Sequence, residues 1–180
     1  RYGSEAMRRI WSEENKRLIW RRLWVVLAEV QAEFGLVTSD QVADLRAHAE
    51  EIDVERALEI EAEIHHDLMA EVKTFAEQCS VGAGIIHLGM TSMDIVDNAD
   101  AVRVRHSMTL ILDQLDAVLA VLVDLIETWA ETPLMGFTHL QPAEPTTVGY
   151  RLAQYAQDLY LDRQNLARLI KQHKGKGFKG

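Results

Sequence analysis

Apolar positions recur along this chain at helical intervals for most of its length, and long stretches run without a glycine or proline to interrupt them. Ser12, followed by Glu13 and Glu14, reads as an N-cap with acids in the first turn, where they complement the helix dipole. Leu23, Leu27, Val30 and Phe34 follow at spacings of four, three and four, and Gly35 stands where a C-cap belongs. A second helix is expected over about residues 41–50. A third is expected from near Asp53 through Leu68, Val72 and Phe75. Residues 80–92 hold Gly82, Gly84 and Gly89 and read as a loop, and Met93-Asp94 opens a helix containing Val96, Ala99 and Val102.

The strongest repeat comes next. Ile111, Leu115, Val118, Leu122, Leu125 and Trp129 form a seam of period 3.5, with Leu112, Leu119 and Ile126 as a second stripe beside it. One stripe suits a two-helix contact; two suit a helix surrounded by several others. A last helix over about residues 147–173 places Val148, Leu152, Tyr155 and Leu159 on one side. No alternating strand pattern stands out. The expectation is an all-α protein with long helices in a bundle.

Composition narrows the function classes. The 180 residues are 48% apolar and 26% charged, an ordinary globular balance. A net charge of −9 argues against broad binding to nucleic acid or anionic membranes, yet leaves room for a local anion pocket. The longest apolar run, residues 117–123, is far shorter than the ~20 residues a membrane span needs. Cys79 is the only cysteine, so no internal disulfide forms. It fits a reducing compartment. With no basic, apolar leader at the start of the chain, a cytoplasmic location is expected.

Candidate chemistry sits where the helical pattern breaks. His65 and His66 diverge by about 100° on a helix and suit a shared metal poorly. Glu63 and His66 have the Glu-x-x-His spacing of carboxylate di-metal bundles, but a second copy is missing, so no metal site is expected. A surface His beside a buried one is the alternative. Thr91 and Ser92 precede a helix, with Thr91 and Asp94 at capping-box spacing. They can cap, and the free N–H groups beside them can also bind an anion. His139 follows Gly136 and precedes Pro142 and Pro145, in a loop stiffened by the two prolines. Imidazoles suit general acid or base work; a His bonded only to backbone is the plainer reading. Lys171, Lys174, Lys176 and Lys179, mixed with glycines, read as either a solvated tail or a phosphate-contacting loop, and no P-loop pattern is present.

Taken in order, "RYGSEAM", "HHDLMAEV", "HLGMTSMDIVDNA" and "GFTHLQPAEPTTVGYR" resemble the adenylosuccinate lyases, a family of the fumarase/aspartase superfamily. The resemblance runs the whole length of the chain. The Thr-His-x-Gln-Pro element alone points only to the superfamily; Arg1-Tyr2 and the His-Asp pair point to the adenylosuccinate branch. The resemblance implies a β-elimination that releases fumarate from adenylosuccinate, giving AMP, and from the related succinyl-carboxamide ribotide. It implies that His139 is the general acid that protonates the departing amine. It further implies that Arg1 and Tyr2 bind the nucleotide and that His65, His66 and Asp67 form a binding stretch. His87 would lie near the phosphate, and Thr91 and Ser92 would contact carboxylates. No metal or organic cofactor is implied.

The family's serine-bearing loop and its later substrate-binding Gln and Arg are not found in these residues, so the chain is expected to be the N-terminal portion of a longer enzyme, inactive alone. Residues 1–92 would form an N-terminal helical domain and residues 93–180 the start of a long-helix bundle, which assembles as a homotetramer in the family. Another lyase or cycloisomerase of the superfamily remains an alternative, as does a non-catalytic helical scaffold.

Overall fold

The computed structural model describes residues 2–180; Arg1 lies outside the described residues. Among them are seven α-helices and one two-stranded sheet: α1 (Glu5–Ile10), α2 (Glu13–Glu33), α3 (Ser39–His48), α4 (Val54–Ile64), α5 (Asp67–Gln78), α6 (Ser92–Thr128), β1 (Pro133–Thr138), β2 (Gln141–Thr147) and α7 (Val148–Gln172). The helical class expected from the sequence holds. The chain divides into two compact units, one made of the residues up to Val104 together with Lys174–Gly180, the other of Arg105–His173.

In the first unit the caps follow the sequence. Ser12 Oγ accepts from Asn15 N at 3.1 Å to start α2. Gly35, at φ +70°, ends it: its N–H donates to Ala32 O and that of Leu36 to Gln31 O, the paired bonds of a Schellman motif. Thr38 and Gln41 form a reciprocal capping box on α3, and Asp53 caps α4 through Arg56 N at 2.9 Å. The single third helix expected from Asp53 is instead two. His65 takes a left-handed conformation, φ +54°, which closes α4, and His66 then starts α5.

The buried face of α2 also differs from the seam read in the sequence. Val30 and Phe34 are exposed, and the core side carries Arg17, Trp20, Arg21, Trp24 and Ala28. These meet Leu45, Leu68, Phe75 and Ile95 in one core. Two guanidiniums lie on that face because Glu71 of α5, fully buried, receives both: Arg17 Nη1 at 3.0 Å and Arg21 Nε at 2.6 Å. Arg21 also donates to the carbonyls of His48 and Glu51, tying the end of α3 to the core.

The helix opened at Met93-Asp94 and the seam of residues 111–129 belong to one helix: α6 runs 37 residues, from the first unit into the second, about 55 Å at 1.5 Å per residue. Leu112, Leu115, Leu119, Leu122 and Ile126 are half-buried, whereas Ile111, Val118, Leu125 and Trp129 are exposed. The inner stripe therefore combines members of both stripes in the sequence. On α7, Leu152, Ala156 and Leu159 are half-buried and Tyr155 is turned outward, contrary to the expected side. Asp116 of α6 receives Arg163 of α7 in a bidentate pair at 2.6 and 3.1 Å. At the start of α7, a Cβ on Gly149 would lie 2.7 Å from Ala130 Cα and Ile126 O, so the approach there admits only glycine.

Residues 133–147, read as a loop without strands, form an antiparallel hairpin. The prolines are tolerated in these strands because each strand of a two-stranded ribbon is an edge, with a row of N–H positions that need no partner. Gly136 faces an irregularity in the register, and a Cβ there would come within 3.0 Å of Glu144 O.

Candidate active site

The two helices that meet at His65 and His66 build one wall of the candidate site. His65 is exposed, and its backbone N–H donates to Glu61 O at 2.8 Å at the end of α4. His66 is the N-cap of α5, and its Nδ1 accepts from Met69 N at 3.4 Å. Its other ring nitrogen, Nε2, lies 3.5 Å from Ser92 Oγ, the first residue of α6. Asp67 turns its carboxylate back to accept from Leu68 N at 2.7 Å. The N-termini of α5 and α6 are thus joined by His66 and Ser92, which brings together two helix ends that each favour an anion.

Thr91 is exposed beside Ser92, and its backbone N–H donates to Asp94 Oδ2 at 3.1 Å. This is the acidic half of the capping box expected from the spacing. Asp94 itself is fully buried and collects the C-terminal residues: Lys176 Nζ at 2.7 Å, Lys179 N at 3.1 Å on both oxygens, and Gly180 N at 3.1 Å. The Lys176 ammonium, helped by these N–H groups, holds its carboxyl well below the ordinary carboxylate range. Lys176 is therefore paired with a carboxylate within the chain, a role that neither reading of the tail anticipated.

His87 is half-buried in the loop before α6, at φ +66°. Its Nδ1 accepts from Trp24 Nε1 at 3.1 Å, and burial pushes its pKa below the ordinary imidazole value. Tyr2 is exposed. Arg1, the other half of that expected pair, is not among the described residues.

His139 belongs to the second unit. With Leu140 it forms the two-residue loop of the hairpin, and both have positive φ, +49° and +62°. This is the sign pattern of a type I′ turn, which ordinarily takes Asn-Gly. A leucine there is strained, at a cost on the order of 1–3 kcal/mol, and its side chain is exposed, so packing does not explain it. The hairpin holds an exposed imidazole at its tip on a paired, bulged ribbon.

Sequence reasoning missed Trp24, and it missed the pairing of Asp94 with Lys176. The spacing of Thr91 and Asp94 signalled the carboxylate but not its partners, and no local pattern links Trp24 to His87. Among the described residues, no group of three His, Cys, Asp or Glu is placed to hold a metal ion, and no helix is long and apolar enough to cross a membrane.

A family model described as lyase matches residues 2–180. The chain belongs to the lyase family. Within it, the chain is 39% identical to the adenylosuccinate lyase of Saccharomyces cerevisiae over its full length, covering 38% of that protein. It is 37% identical to the adenylosuccinate lyase of Pyrococcus abyssi over 94% of the chain and 38% of that protein. The chain thus spans about two-fifths of the length of these lyases. Among solved structures of the same fold are a 3-carboxy-cis,cis-muconate lactonizing enzyme from Pseudomonas putida and a fumarate lyase from Mesorhizobium sp. BNC1. The first has a TM-score of 0.85 and 29% identity over 96% of the chain and 41% of its own; the second has 0.84 and 26% over 94% and 41%.

Proposed function

We propose that the chain supplies part of the active site of an adenylosuccinate lyase, which eliminates fumarate from adenylosuccinate to give AMP, and from the succinyl-carboxamide ribotide. The observation that carries this reading is the 39% identity to an adenylosuccinate lyase along the whole chain. The lower identity, 29%, to the lactonizing enzyme favours it over the cycloisomerase alternative.

Each residue has a chemical task in that reaction. A purine amine leaves slowly unless it gains a proton as the C–N bond breaks, and His139, exposed at a stiff hairpin tip, is the general acid. The joined helix N-termini of Ser92 and His66, with Thr91, receive substrate carboxylates. His87 donates to the phosphate, while His65, Asp67, Tyr2 and Arg1 complete the nucleotide-binding surface. Removal of the succinyl proton falls to residues beyond these 180, so the chain alone releases no fumarate. The exposed stripe Ile111, Val118, Leu125 and Trp129 is covered by further copies of the same chain, as a homotetramer, in the cytoplasm.

The test is fumarate release from adenylosuccinate by protein of the length of its relatives, with and without His139→Ala. A loss of roughly 10²–10⁴-fold in kcat is expected for a missing general acid. An unchanged rate, or turnover by the 180 residues alone, overturns the assignment.

A further inference from the structure

Helix α2 holds the His87 loop at two points one above the other. Trp24 Nε1 donates to His87 Nδ1 at 3.1 Å, and Gln31 Nε2 donates to Leu88 O at 2.9 Å. Positions 24 and 31 are seven apart, so they share one face of the helix. We propose that Trp24 is a positioning residue that holds His87 as the tautomer protonated on Nε2, so that the ring offers an anionic ligand one N–H donor and no positive charge.

The argument rests on what an indole can do. Its N–H only donates, so the nitrogen it meets must keep its lone pair. With Nδ1 so engaged, the single proton of the neutral ring is on Nε2. Protonating the ring would set two N–H groups against each other at 3.1 Å, so the indole opposes the imidazolium. Burial of the ring acts in the same direction, as does the charge of His66; Asp94 acts against them. The indole cannot swing aside to accommodate a second proton. Trp24 is 1% exposed and stacks on Phe75 at 6.3 Å and 24°, meeting His87 edge-on at 82°. The backbone at His87 is left-handed, a conformation a non-glycine residue holds only where its surroundings impose it.

A neutral donor suits an anion that must also leave. It recognises a phosphate or carboxylate oxygen by direction and avoids the stronger attraction of an ion pair. The identity of the ligand rests on the lyase reading above; the tautomer rests on the geometry alone.

Histidine-selective 15N labelling of the full chain, with two-bond 1H–15N spectra, reports which ring nitrogen carries the proton. The expected result is an unprotonated Nδ1 at neutral pH, and a mixture of tautomers in Trp24→Phe. A proton on Nδ1 in the unaltered protein, or an unmoved tautomer in the variant, overturns the proposal. Because Trp24→Phe also weakens the core, two substitutions at His87 provide a second test. Glutamine places its amide N–H near the Nε2 position, whereas asparagine reaches only as far as Nδ1. With AMP as the probe in calorimetry on protein of the length of its relatives, His87→Gln is expected to bind roughly tenfold more tightly than His87→Asn. Equal or reversed affinities overturn the donor role. The expected tautomer with no AMP binding by any protein keeps the positioning role and sinks the adenylosuccinate reading instead.

Discussion

The two units of this chain treat their apolar residues in opposite ways. The first closes on itself: Trp20, Trp24, Leu45, Leu68, Phe75 and Ile95 are buried in one core, and even its charges are paired inside. Most apolar side chains of the second remain half-buried or exposed on α6 and α7. The difference teaches that helix content says little about independence. A unit whose elements number six or more can surround a helix, whereas a helix pair and a hairpin leave at least one stripe facing water.

That contrast is open to direct attack. The largest expected effect lies in the first unit. Glu71→Ala leaves Arg17 and Arg21 buried together without their carboxylate, and a loss on the order of 3–5 kcal/mol is expected in urea unfolding. In the second unit a smaller loss is expected, and only where backbones touch. Gly149→Ala should cost about 1–3 kcal/mol, read as an earlier thermal transition. A neutral result would show that the junction of α6 and α7 yields easily.

The outer stripe should behave differently again. In sedimentation, the 20.4 kDa chain is expected to associate, and Val118→Asp with Leu125→Asp should return it to monomer with little change in helix content. A monomeric unaltered chain would remove the contrast between the units. Asp94→Asn is expected to free the tail without unfolding the unit, seen as faster amide exchange at Lys179 and Gly180. The Asp94 carboxyl has its pKa depressed on folding, chiefly by Lys176, so its contribution is present above the ordinary value of 3.8 and lost as the pH falls below it. The Gly180 amide resonance should therefore stay constant down to that value and move only in stronger acid. The smallest effect is expected for Asp116→Asn, whose ion pair with Arg163 is largely solvated: no resolvable shift in the unfolding midpoint.

What the sequence revealed follows the range of each interaction. Ser12 and Gly35 were legible as caps because a cap is decided within four residues. The break at His65 was not, since a histidine takes the left-handed turn that glycine usually signals. The hairpin escaped notice for a related reason: His139-Leu140 fills a turn that favours Asn-Gly, and the prolines of its strands read as breakers. Arg17 and Arg21 hid the inner face of α2, because a charge on a helix reads as exposed until its buried partner, 54 and 50 residues on, is known. Of the candidate site, the individual residues were legible as breaks in the helical pattern. The bond from Trp24 to His87 and the tail's hold on Asp94 were not, since neither has a local signature.

The tail also sets an order in time. Asp94 meets Lys179 across 85 residues of chain. At a synthesis rate of about 5–20 residues per second, roughly 4–17 s pass between the making of the carboxylate and the arrival of the amides that complete its coordination. Through that interval the remainder of α6, the hairpin and α7 all emerge. The first unit, though encoded first, receives its last piece only after the second has been made.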